Sequence, residues 1–595
     1  MTFLKWEDYV VLTIAVILSL GVGLFQSLQR GNMNTTKTFI MGDSKMSFVP
    51  VAISLMVSYE SGIMMLGIPA EVYTYGMQLG ISYFGFFIAD MTSRQVFVPA
   101  LRELEITSVY EYLELRFKSH GIRIFATVLS MFYMINYFGT VLFLPAISLE
   151  AVAGIPTWIS IVVLQVVVLV YTLIGGFKAV IWSDVIQTMV MLIGILAVLI
   201  KGTIEAGGVT ATWSAVYDTG RVNLFEFDPD PTIRQSFWSL LIGSSIRGFS
   251  TVFMQTTFLR IKATPSLQST SNMYLVTAFS IMSMSWLGVL EGAVMFGYYH
   301  SQGCDPLQSK QLDNQNQLIP AMVVDLFHDT PCMPGLFFAA LFSASLSSMS
   351  SMLSSLSAVF WEDIVKPHTK PMSERRGIII TQLSMFVFGV LGCLVAFVVS
   401  GLKGPITRIF NIMSSSVTGA MTGVFLNTIV GGLSSVLFVG WISVGKFVST
   451  GVRVHPKLEP APMYNCPSAN ISIQLNSTNF DSISSSLYLT NITASSVETE
   501  SLPQGLDVLY SLSYMWLGAL GVLIVVFVGT IVSRLRDQPP VDPDLLVPVY
   551  DLLSCRRPKW TRRRCRCETS LPELATDLNE EEKPFHEILT KEQSI

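Results

Sequence analysis

Charged residues are scarce in this chain of 595 residues. Asp, Glu, Lys and Arg together make up 13%, where a soluble globular protein has about 25%, and 51% of the residues are hydrophobic. A deficit of this size, spread along the whole chain, excludes an ordinary soluble domain and indicates a membrane protein with many spans. The formal net charge of −5 is small, and it gives no reason to expect a nucleic-acid partner.

Cysteine and the common enzyme motifs are also scarce. Seven cysteines in 595 residues do not form a disulfide scaffold. Cys304 and Cys332 bracket one loop between predicted spans, and they can form a bridge if that loop is extracellular; two unpaired thiols are the alternative. The chain has no HExxH, GxSxG or Walker-type GK[ST] motif, and its six histidines show no metal-ligand spacing, so we do not expect an enzyme.

Long apolar runs are what the chain has instead. A spanning helix needs about 20 mostly apolar residues, and helices are the expected spanning form because lipid offers no partner to free backbone groups. We count thirteen such runs and predict an all-α polytopic membrane protein. The runs lie near residues 8–28, 47–68, 76–100, 123–148, 156–176, 180–201, 236–257, 274–299, 336–360, 378–400, 404–424, 427–446 and 509–533.

Basic residues predict the orientation, because cytoplasmic loops are enriched in Lys and Arg. One alternate set of loops is rich in them, whereas the opposite loop 301–335 holds Lys310 alone. With an odd number of spans, the N-terminus is then extracellular and the C-terminus cytoplasmic, in the plasma membrane. The rich set holds Arg30, Lys37, Lys45, Arg102, Arg116, Lys118, Lys178, Arg260, Lys262, Lys366, Lys370, Arg375 and Arg376.

The segments near the C-terminus agree with this orientation. The polar loop 447–508 is predicted to be extracellular, and it carries glycosylation sequons at Asn470, Asn476 and Asn491. The tail from 534 contains the basic stretch CRRPKWTRRRCRC (555–567). That stretch either binds anionic lipid, with acylated cysteines, or belongs to a solvated disordered tail.

Three polar stretches interrupt the apolar runs. SLMVSYESGIMMLGIP (54–69) combines Glu60 with helix-breaking residues, and a discontinuous helix frees carbonyls that can bind a cation, although a simple kink is the alternative. FSASLSSMSSMLSSLSAVFWED (342–363) is dense in serine hydroxyls, which are hard ligands suited to sodium. GGFKAVIWSDVIQ (175–187) predicts a tight cytoplasmic turn that places Asp184 near the membrane edge, where a carboxylate attracts cations to an inner vestibule.

At these residues the sequence resembles the sodium/solute symporter family. YTLIGGFKAVIWSDVIQ (171–187) is similar to that family's signature. LGIPAEVYTYG (66–76), ITSVYEYLELRF (106–117) and the ninth span resemble the branch of sodium-coupled monocarboxylate, multivitamin and iodide transporters. The resemblance implies a leucine-transporter-like core of two inverted five-helix repeats, spans 2–6 and 7–11, which works by alternating access.

The predicted organisation follows from these boundaries. We expect an N-terminal span and loop (1–46), a transporter core with the twelfth span (47–446), an extracellular loop (447–508), a last span (509–533) and a cytoplasmic tail (534–595). The partners implied are the lipid bilayer and a small-molecule substrate, and nothing in the sequence indicates an oligomeric state.

The resemblance also implies site residues. Sodium is the coupling ion and the only metal, and no organic cofactor is expected. The implied sodium ligands are the backbone carbonyls of Val57, Glu60 and Ala344 and the hydroxyls of Ser347 and Ser348. Ser351 sits where some relatives hold a second sodium, and Asp184 matches an aspartate of the cation path. The substrate-site candidates are Glu60, Met64, Arg247 and Thr251, on the two spans that face each other in this fold.

Two charges depart from the family pattern. Glu60 and Arg247 stand where the anion-transporting relatives tend to have uncharged residues, and a lone charge at the membrane centre costs about 2.5–3.5 kcal/mol. We therefore hypothesise a Glu60–Arg247 ion pair; a structural role for Glu60 or its contact with substrate are the alternatives. Asp90 and Arg94 are four residues apart and can pair with each other. Glu291 is a competitor for Arg247.

The leading functional hypothesis is sodium-driven uptake of a monocarboxylate or a vitamin-like carboxylate. If Glu60 neutralises Arg247, symport of a neutral or zwitterionic solute becomes the alternative. A hypothesis of another class is a sodium-gated sensor or leak channel on the same fold. Concentrative, sodium-dependent uptake distinguishes a symporter from a sensor or leak channel.

Overall fold

The computed structural model describes residues 4–28, 35–42, 44–312, 314–401, 406–426, 429–449, 457–466 and 504–535. Within these ranges all regular structure is helical. The predicted glycosylation sites Asn470, Asn476 and Asn491 and the basic stretch 555–567 lie outside them. The predictions made for the extracellular loop and the cytoplasmic tail therefore stay predictions.

Twenty α-helices follow one another along the described chain. The first ten are α1 (Trp6–Leu28), α2 (Thr36–Met41), α3 (Phe48–Tyr59), α4 (Ile68–Tyr75), α5 (Ile81–Glu103), α6 (Glu111–Phe117), α7 (His120–Ala153), α8 (Thr157–Glu205), α9 (Gly208–Asp218) and α10 (Ser244–Val252). The remaining ten are α11 (Gln255–Ala263), α12 (Leu267–Gln302), α13 (Leu318–Leu326), α14 (Met333–Val359), α15 (Lys366–His368), α16 (Glu374–Ser400), α17 (Ile406–Leu426), α18 (Ile429–Val448), α19 (Asp507–Tyr510) and α20 (Tyr514–Leu535).

Short irregular helices extend several of these elements. Single turns of π-helix precede α4 and α10 and follow α14, and turns of 3-10 helix precede α5 and α13. The π-helical turns are Ile63–Gly67, Ser239–Gly243 and Phe360–Val365, and the 3-10 turns are Met77–Gly80 and Gln315–Gln317. Such turns are typical of helices that change direction or end at functional sites.

Within the described residues, every predicted span overlaps a helix or a broken helix. By length and apolarity, seven helices of the described residues can cross a membrane, or eight if the bent pair Phe48–Tyr59 and Ile63–Tyr75 is one span. The number of thirteen spans, the orientation of the termini and the inverted repeats therefore stay predictions. Predicted spans 5 and 6 are joined in α8 at Gly176, whose φ of 66° and ψ of −173° interrupt the helix.

The helix α14 lies at the centre of the packing. In an apolar stretch of 18 residues within Met333–His368, 94% of the residues are buried, against 39% in such a stretch of α16. A helix that is buried on all faces does not need an apolar surface toward lipid. The serine-rich composition of α14 is therefore compatible with a place inside the helix bundle.

The helices α3 and α4 form one broken helix, as the sequence predicts. Helix α3 ends at Tyr59, and Glu60 has an extended backbone with φ −88° and ψ 93°. The chain resumes as a π-helical turn, Pro69 occupies the first turn of α4, where no backbone N–H is required, and the two halves are bent by 52°. A second break separates α10 from α11, where Met254 is extended with φ −84° and ψ 139°.

A disulfide attaches residues 457–466, here called the strap, to the end of α12. The bond joins Cys304 to Cys466, whereas Cys332 is exposed and free. The predicted Cys304–Cys332 bridge is therefore wrong. The physical reason is proximity: the backbone N–H of Asn465 donates to the carbonyl of Gly303 at 3.0 Å, so the strap brings Cys466 next to Cys304.

The strap also binds the end of α4 through Arg221. The guanidinium donates to the carbonyl of Tyr73 at 3.0 Å and to that of Glu459 at 2.7 Å. Asp305 accepts from Tyr73 at 2.8 Å and from the backbone of Ala461 at 3.1 Å. Burial lowers the pKa of Arg221 to about 10, so the side chain is still cationic at neutral pH. The strap thus links one half of the broken helix to α12.

Candidate functional site

Oxygen atoms converge where α14 passes the break between α3 and α4. The hydroxyl of Ser348 donates to the carbonyls of Val57 and Ser58, both at 3.3 Å. The hydroxyl of Ser345 is buried without a hydrogen-bond partner among the described residues, and a Cβ at Gly62 would lie 2.8 Å from it. A hard cation prefers such carbonyl and hydroxyl oxygens.

The structure brings some of the expected sodium ligands together and directs others elsewhere. Val57 and Ser348 are in contact, and Glu60 lies at the break itself. Ala344, one helical turn before Ser348, is fully buried. The hydroxyl of Ser347 donates to Asp184 at 2.6 Å. Ser345 was not among the expected ligands, although it belongs to the same serine-rich run.

A buried ion pair, here called the Asp184 network, lies beside these oxygens. The guanidinium of Arg260 is 3.2 Å from the carboxylate of Asp184, and both side chains are fully buried. Ser54 donates to Asp184 at 2.5 Å, and Arg260 donates to Ser58 at 2.7 Å and to Ser351 at 2.8 Å. Hydroxyl groups thus satisfy both charges, which is what a buried ion pair requires.

The Asp184 network corrects two positional predictions. In this structure the Asp184 side chain is fully buried and does not open onto a vestibule, and Arg260 lies fully buried in α11 and not in a loop. The reason is that α11 carries Arg260 into contact with Ser54 and Ser58, which lie one turn apart on α3. A sodium ion at Ser351 would have to share that hydroxyl with the guanidinium. A role of Asp184 in the cation path stays a prediction.

A cavity of about 210 Å³ lies beside the break. Its lining includes all four predicted substrate-site residues, Glu60, Met64, Arg247 and Thr251. Asp90 of α5 also lines it. Ligand cavities usually measure about 300–1,000 Å³, so this one is suited to a small solute.

Glu60 and Arg247 share the cavity without contacting each other. Glu60 accepts a hydrogen bond from Ser285 of α12 at 2.5 Å, and Arg247 donates to Ser414 of α17 at 3.5 Å. Among the described residues, the structure contains no ion pair between the two. The hypothesis of a Glu60–Arg247 pair is therefore wrong in this structure, because the two side chains bind hydroxyls on different helices.

The other predicted intramembrane pairs do not form either. Arg94 donates to Ser271 at 2.8 Å, and the described residues offer Asp90 neither a hydrogen bond nor an ion pair. Glu291 is fully buried, and both of its carboxyl oxygens have no hydrogen-bond partner among the described residues. Glu291 does not line the cavity, so it does not compete for Arg247.

Glu71 of α4 is a further acidic side chain of the cavity lining, and its carboxylate is hydrogen-bonded and paired. Arg234 donates to its carboxylate at 2.7 and 2.9 Å, and Gln235 donates at 2.7 Å. The sequence analysis did not identify this pair, since Glu71 and Arg234 are far apart along the chain. The charge of Glu71 is thus compensated inside the protein.

The two broken helices are connected through Tyr59. Its hydroxyl donates to the carbonyl of Thr251 at 3.2 Å, just before the break between α10 and α11. The same hydroxyl is hydrogen-bonded to Thr257, just after that break. Tyr59 is the last residue of α3. One side chain therefore links both helix breaks at the edge of the cavity.

The chain matches the model of the sodium:solute symporter family over residues 39–440. It is 34% identical to the sodium-dependent multivitamin transporter of Oryctolagus cuniculus, with 96% of this chain and 89% of the relative covered. It is 33% identical to sodium-coupled monocarboxylate transporter 1 of Homo sapiens, with 93% and 91% covered. The human sodium/iodide cotransporter is 30% identical, with 90% and 84% covered.

A solved structure of a Na+-coupled sialic acid symporter in a substrate-bound outward-open state has a similar fold. The TM-score is 0.67 at 21% sequence identity, and the match covers 90% of this chain and all of that one. At this identity the similarity shows the fold alone. The prediction of an all-α transporter fold is confirmed to that extent.

Proposed function

This chain belongs to the sodium:solute symporter family, and from that premise we propose that it imports a small organic carboxylate together with sodium, by alternating access. Monocarboxylates and vitamin-like carboxylates are the first solutes to test, because two relatives are named for monocarboxylates and for vitamins. The expected location is the plasma membrane.

The contact of Ser348 with the carbonyls of Val57 and Ser58 carries the proposal. It places a hydroxyl against backbone oxygens of a broken helix. Glu60, the residue at the break, also lines the cavity, so these oxygens lie beside it. A cation held by these oxygens contacts the same segment as a solute in the cavity. Binding of one then favours the conformation that binds the other, which is the basis of coupling. The proposed ligands are those expected from the sequence, with Ser345 added.

Arg247 supplies the positive charge for a carboxylate. It lines the cavity on α10, and a guanidinium is suited to bidentate recognition of a carboxylate. Because a charged solute must lose its water to enter such a site, a cationic side chain in the lining offsets part of that cost.

The two helix breaks supply the moving parts. Discontinuous helices whose ends meet at a binding site are typical of transporters that alternate between two access states. In this chain Tyr59 connects the two breaks. A change at one break is therefore transmitted to the other through hydrogen bonds that can form and separate.

Uptake assays in cells that express the chain test the proposal. Lactate, pyruvate, nicotinate, biotin, pantothenate, iodide and choline are supplied with sodium or with N-methyl-D-glucamine in its place. We expect at least one organic carboxylate to accumulate above its outside concentration only with sodium. Sodium currents without solute accumulation would instead support a sensor or a leak channel.

The double variant Ser347→Ala/Ser348→Ala tests the sodium site. Loss of two ligands should raise the sodium concentration needed for half-maximal uptake by about tenfold or more, since about 1.4 kcal/mol corresponds to tenfold. Ser354→Ala/Ser355→Ala is the matched control on the same helix, because those hydroxyls donate to the backbone of α14 at 2.9 and 2.8 Å. Equal shifts in both variants would show that the sodium site is elsewhere.

A further inference from the structure

The described lining of the cavity contains more acidic than basic side chains. Three acidic side chains line it, Glu60, Glu71 and Asp90, and the described lining contains a single basic one, Arg247. Arg234 compensates Glu71 from outside this lining. Besides Glu71, the described lining thus holds two acidic side chains and one basic side chain, an excess of acid that does not favour a simple anion.

Asp90 is the acidic group of the cavity lining that the described residues leave unsatisfied. Its side chain is 9% exposed, and it has neither a hydrogen bond nor an ion pair within the described part of the chain. The nearest basic residue on its own helix, Arg94, donates to Ser271 instead. Charges inside a membrane protein normally have a partner, because an isolated one costs several kcal/mol. Asp90 faces a cavity, so the missing partner can be a ligand.

Tyr274 provides an independent observation on the same wall. Its side chain is 2% exposed and lines the cavity, and its hydroxyl has no hydrogen-bond partner among the described residues. Asp90 and Tyr274 line the same cavity. A buried phenol without a partner is uncommon and requires an explanation. A donor placed between the two residues would satisfy the carboxylate and the phenol oxygen together.

The rest of the lining is suited to a cation. Five further tyrosines line the cavity. The negative face of an aromatic ring attracts a cation by about 0.5–2 kcal/mol, depending on desolvation. Those tyrosines are Tyr59, Tyr83, Tyr133, Tyr137 and Tyr514. Glu60 adds a second carboxyl group, held in place by a hydrogen bond from Ser285.

Asp90 and Arg247 lie at the same level of the bundle. Their chain neighbours Ala89 and Gly248 are in close contact between α5 and α10, since a Cβ on Gly248 would lie 2.5 Å from that of Ala89. Even so, no ion pair joins Asp90 to Arg247 in the part of the chain that the structure describes. An acidic and a basic side chain that line one small cavity at the same level match a short solute that carries both charges.

We propose that Asp90, with Tyr274 and Glu60, binds the ammonium group of the solute, so that the substrate is a small zwitterion with an ammonium and a carboxylate group. This inference rests on the proposed function, because it assigns the solute of the same cavity. The carboxylate binds on the Arg247 side and the ammonium on the Asp90 side. Monocarboxylates that lack the cation bind less well, because Asp90 then stays without a partner.

Matched solutes of equal shape test the charge requirement. Betaine and 3,3-dimethylbutyrate differ only in a nitrogen in place of a carbon, and 4-aminobutyrate and pentanoate differ in an ammonium in place of a methyl group. Sodium-dependent uptake is measured for both pairs in the wild type and in Asp90→Asn, with surface protein quantified. We expect the wild type to prefer at least one ammonium solute over its partner by about tenfold or more.

Asp90→Asn should remove that preference, because uptake of the ammonium solute falls more than uptake of the carboxylate partner that lacks the ammonium group. Tyr274→Phe, which removes a single oxygen, should reduce the preference in the same direction. Glu291→Gln is the control, because Glu291 is also buried without a partner but does not line the cavity; it should leave the preference unchanged.

The outcomes separate this inference from the proposed function. Sodium-dependent uptake of lactate or pyruvate without uptake of either ammonium solute would overturn the zwitterion assignment and leave the symporter intact. An equal loss for both members of a pair in Asp90→Asn would also overturn it. If no solute of either panel accumulates with sodium, the proposed function itself fails.

Discussion

The protein buries acidic side chains in two different ways, and the contrast is instructive. In the Asp184 network, Arg260 and serine hydroxyls satisfy a fully buried carboxylate. In the cavity, Asp90 is 9% exposed and has no such partner among the described residues. Because both acidic side chains are buried, the difference in their partners indicates different roles: the first acid maintains the structure, and the second is available to a ligand.

The largest expected effect comes from breaking the Asp184 network. Arg260→Met leaves Asp184 buried without its cation, which should cost about 3–5 kcal/mol of stability and reduce the amount of surface protein strongly. Thermal unfolding of the purified protein and surface biotinylation measure the effect.

Restoring neutrality is the matched control for that variant. The double variant Asp184→Asn/Arg260→Met removes both charges and should recover part of the lost stability. If Arg260→Met alone unfolds at the wild-type temperature, the network does not stabilise the fold.

An intermediate effect is expected at Glu71, which lines the same cavity as Asp90 but is paired. Glu71→Gln leaves Arg234 with a neutral partner and should cost about 1.5–3 kcal/mol, the value of a hydrogen bond to a charged group. The unfolding temperature should fall accordingly. An unchanged unfolding temperature would mean that the ion pair with Arg234 does not stabilise the fold, so that paired and unpaired acidic residues of this protein do not differ in this respect.

The smallest effect on stability is expected at Asp90. Asp90→Asn removes a charge that the described residues leave without a partner, so the unfolding temperature without solute should stay equal or rise. The same variant should lose the extra stability that wild type gains from an ammonium solute in sodium buffer. A large destabilisation without solute would show that Asp90 is structural, like Asp184.

The breaks and the serine-rich helix are predictable from sequence because they depend on local chemistry. Gly62 and Pro69 weaken a helix wherever they occur, and a run of serines within an apolar span marks a helix that is buried on all faces. The structure accordingly contains a broken helix between α3 and α4 and a buried α14.

Side-chain pairing was not predictable, because it depends on which helices adjoin. The opposite charges of Glu60 and Arg247 suggested an ion pair between them, yet each side chain is hydrogen-bonded to a hydroxyl on another helix. Arg260 was counted with the loop charges because the positive-inside rule counts basic residues near span ends without regard to burial. A pair of serines one turn apart on α3 was the available signal for its buried position.

The disulfide illustrates a third limit. Cys304 and Cys332 are close in sequence, but the partner of Cys304 is Cys466, 162 residues away. Chain separation carries little information about which cysteines meet, since a surface segment such as the strap can return to a distant helix end. The pairing became evident only from the backbone contacts of the strap with Gly303 and Thr74.

The accumulation ratio of a transported solute tests the central claim most directly. Cells that express the chain are given a labelled solute at low concentration, with sodium or with N-methyl-D-glucamine, and the inside and outside concentrations are compared at steady state. The account predicts a ratio above one with sodium and a ratio no greater than that of control cells without it. An equal ratio in both buffers would contradict sodium-coupled symport by this protein.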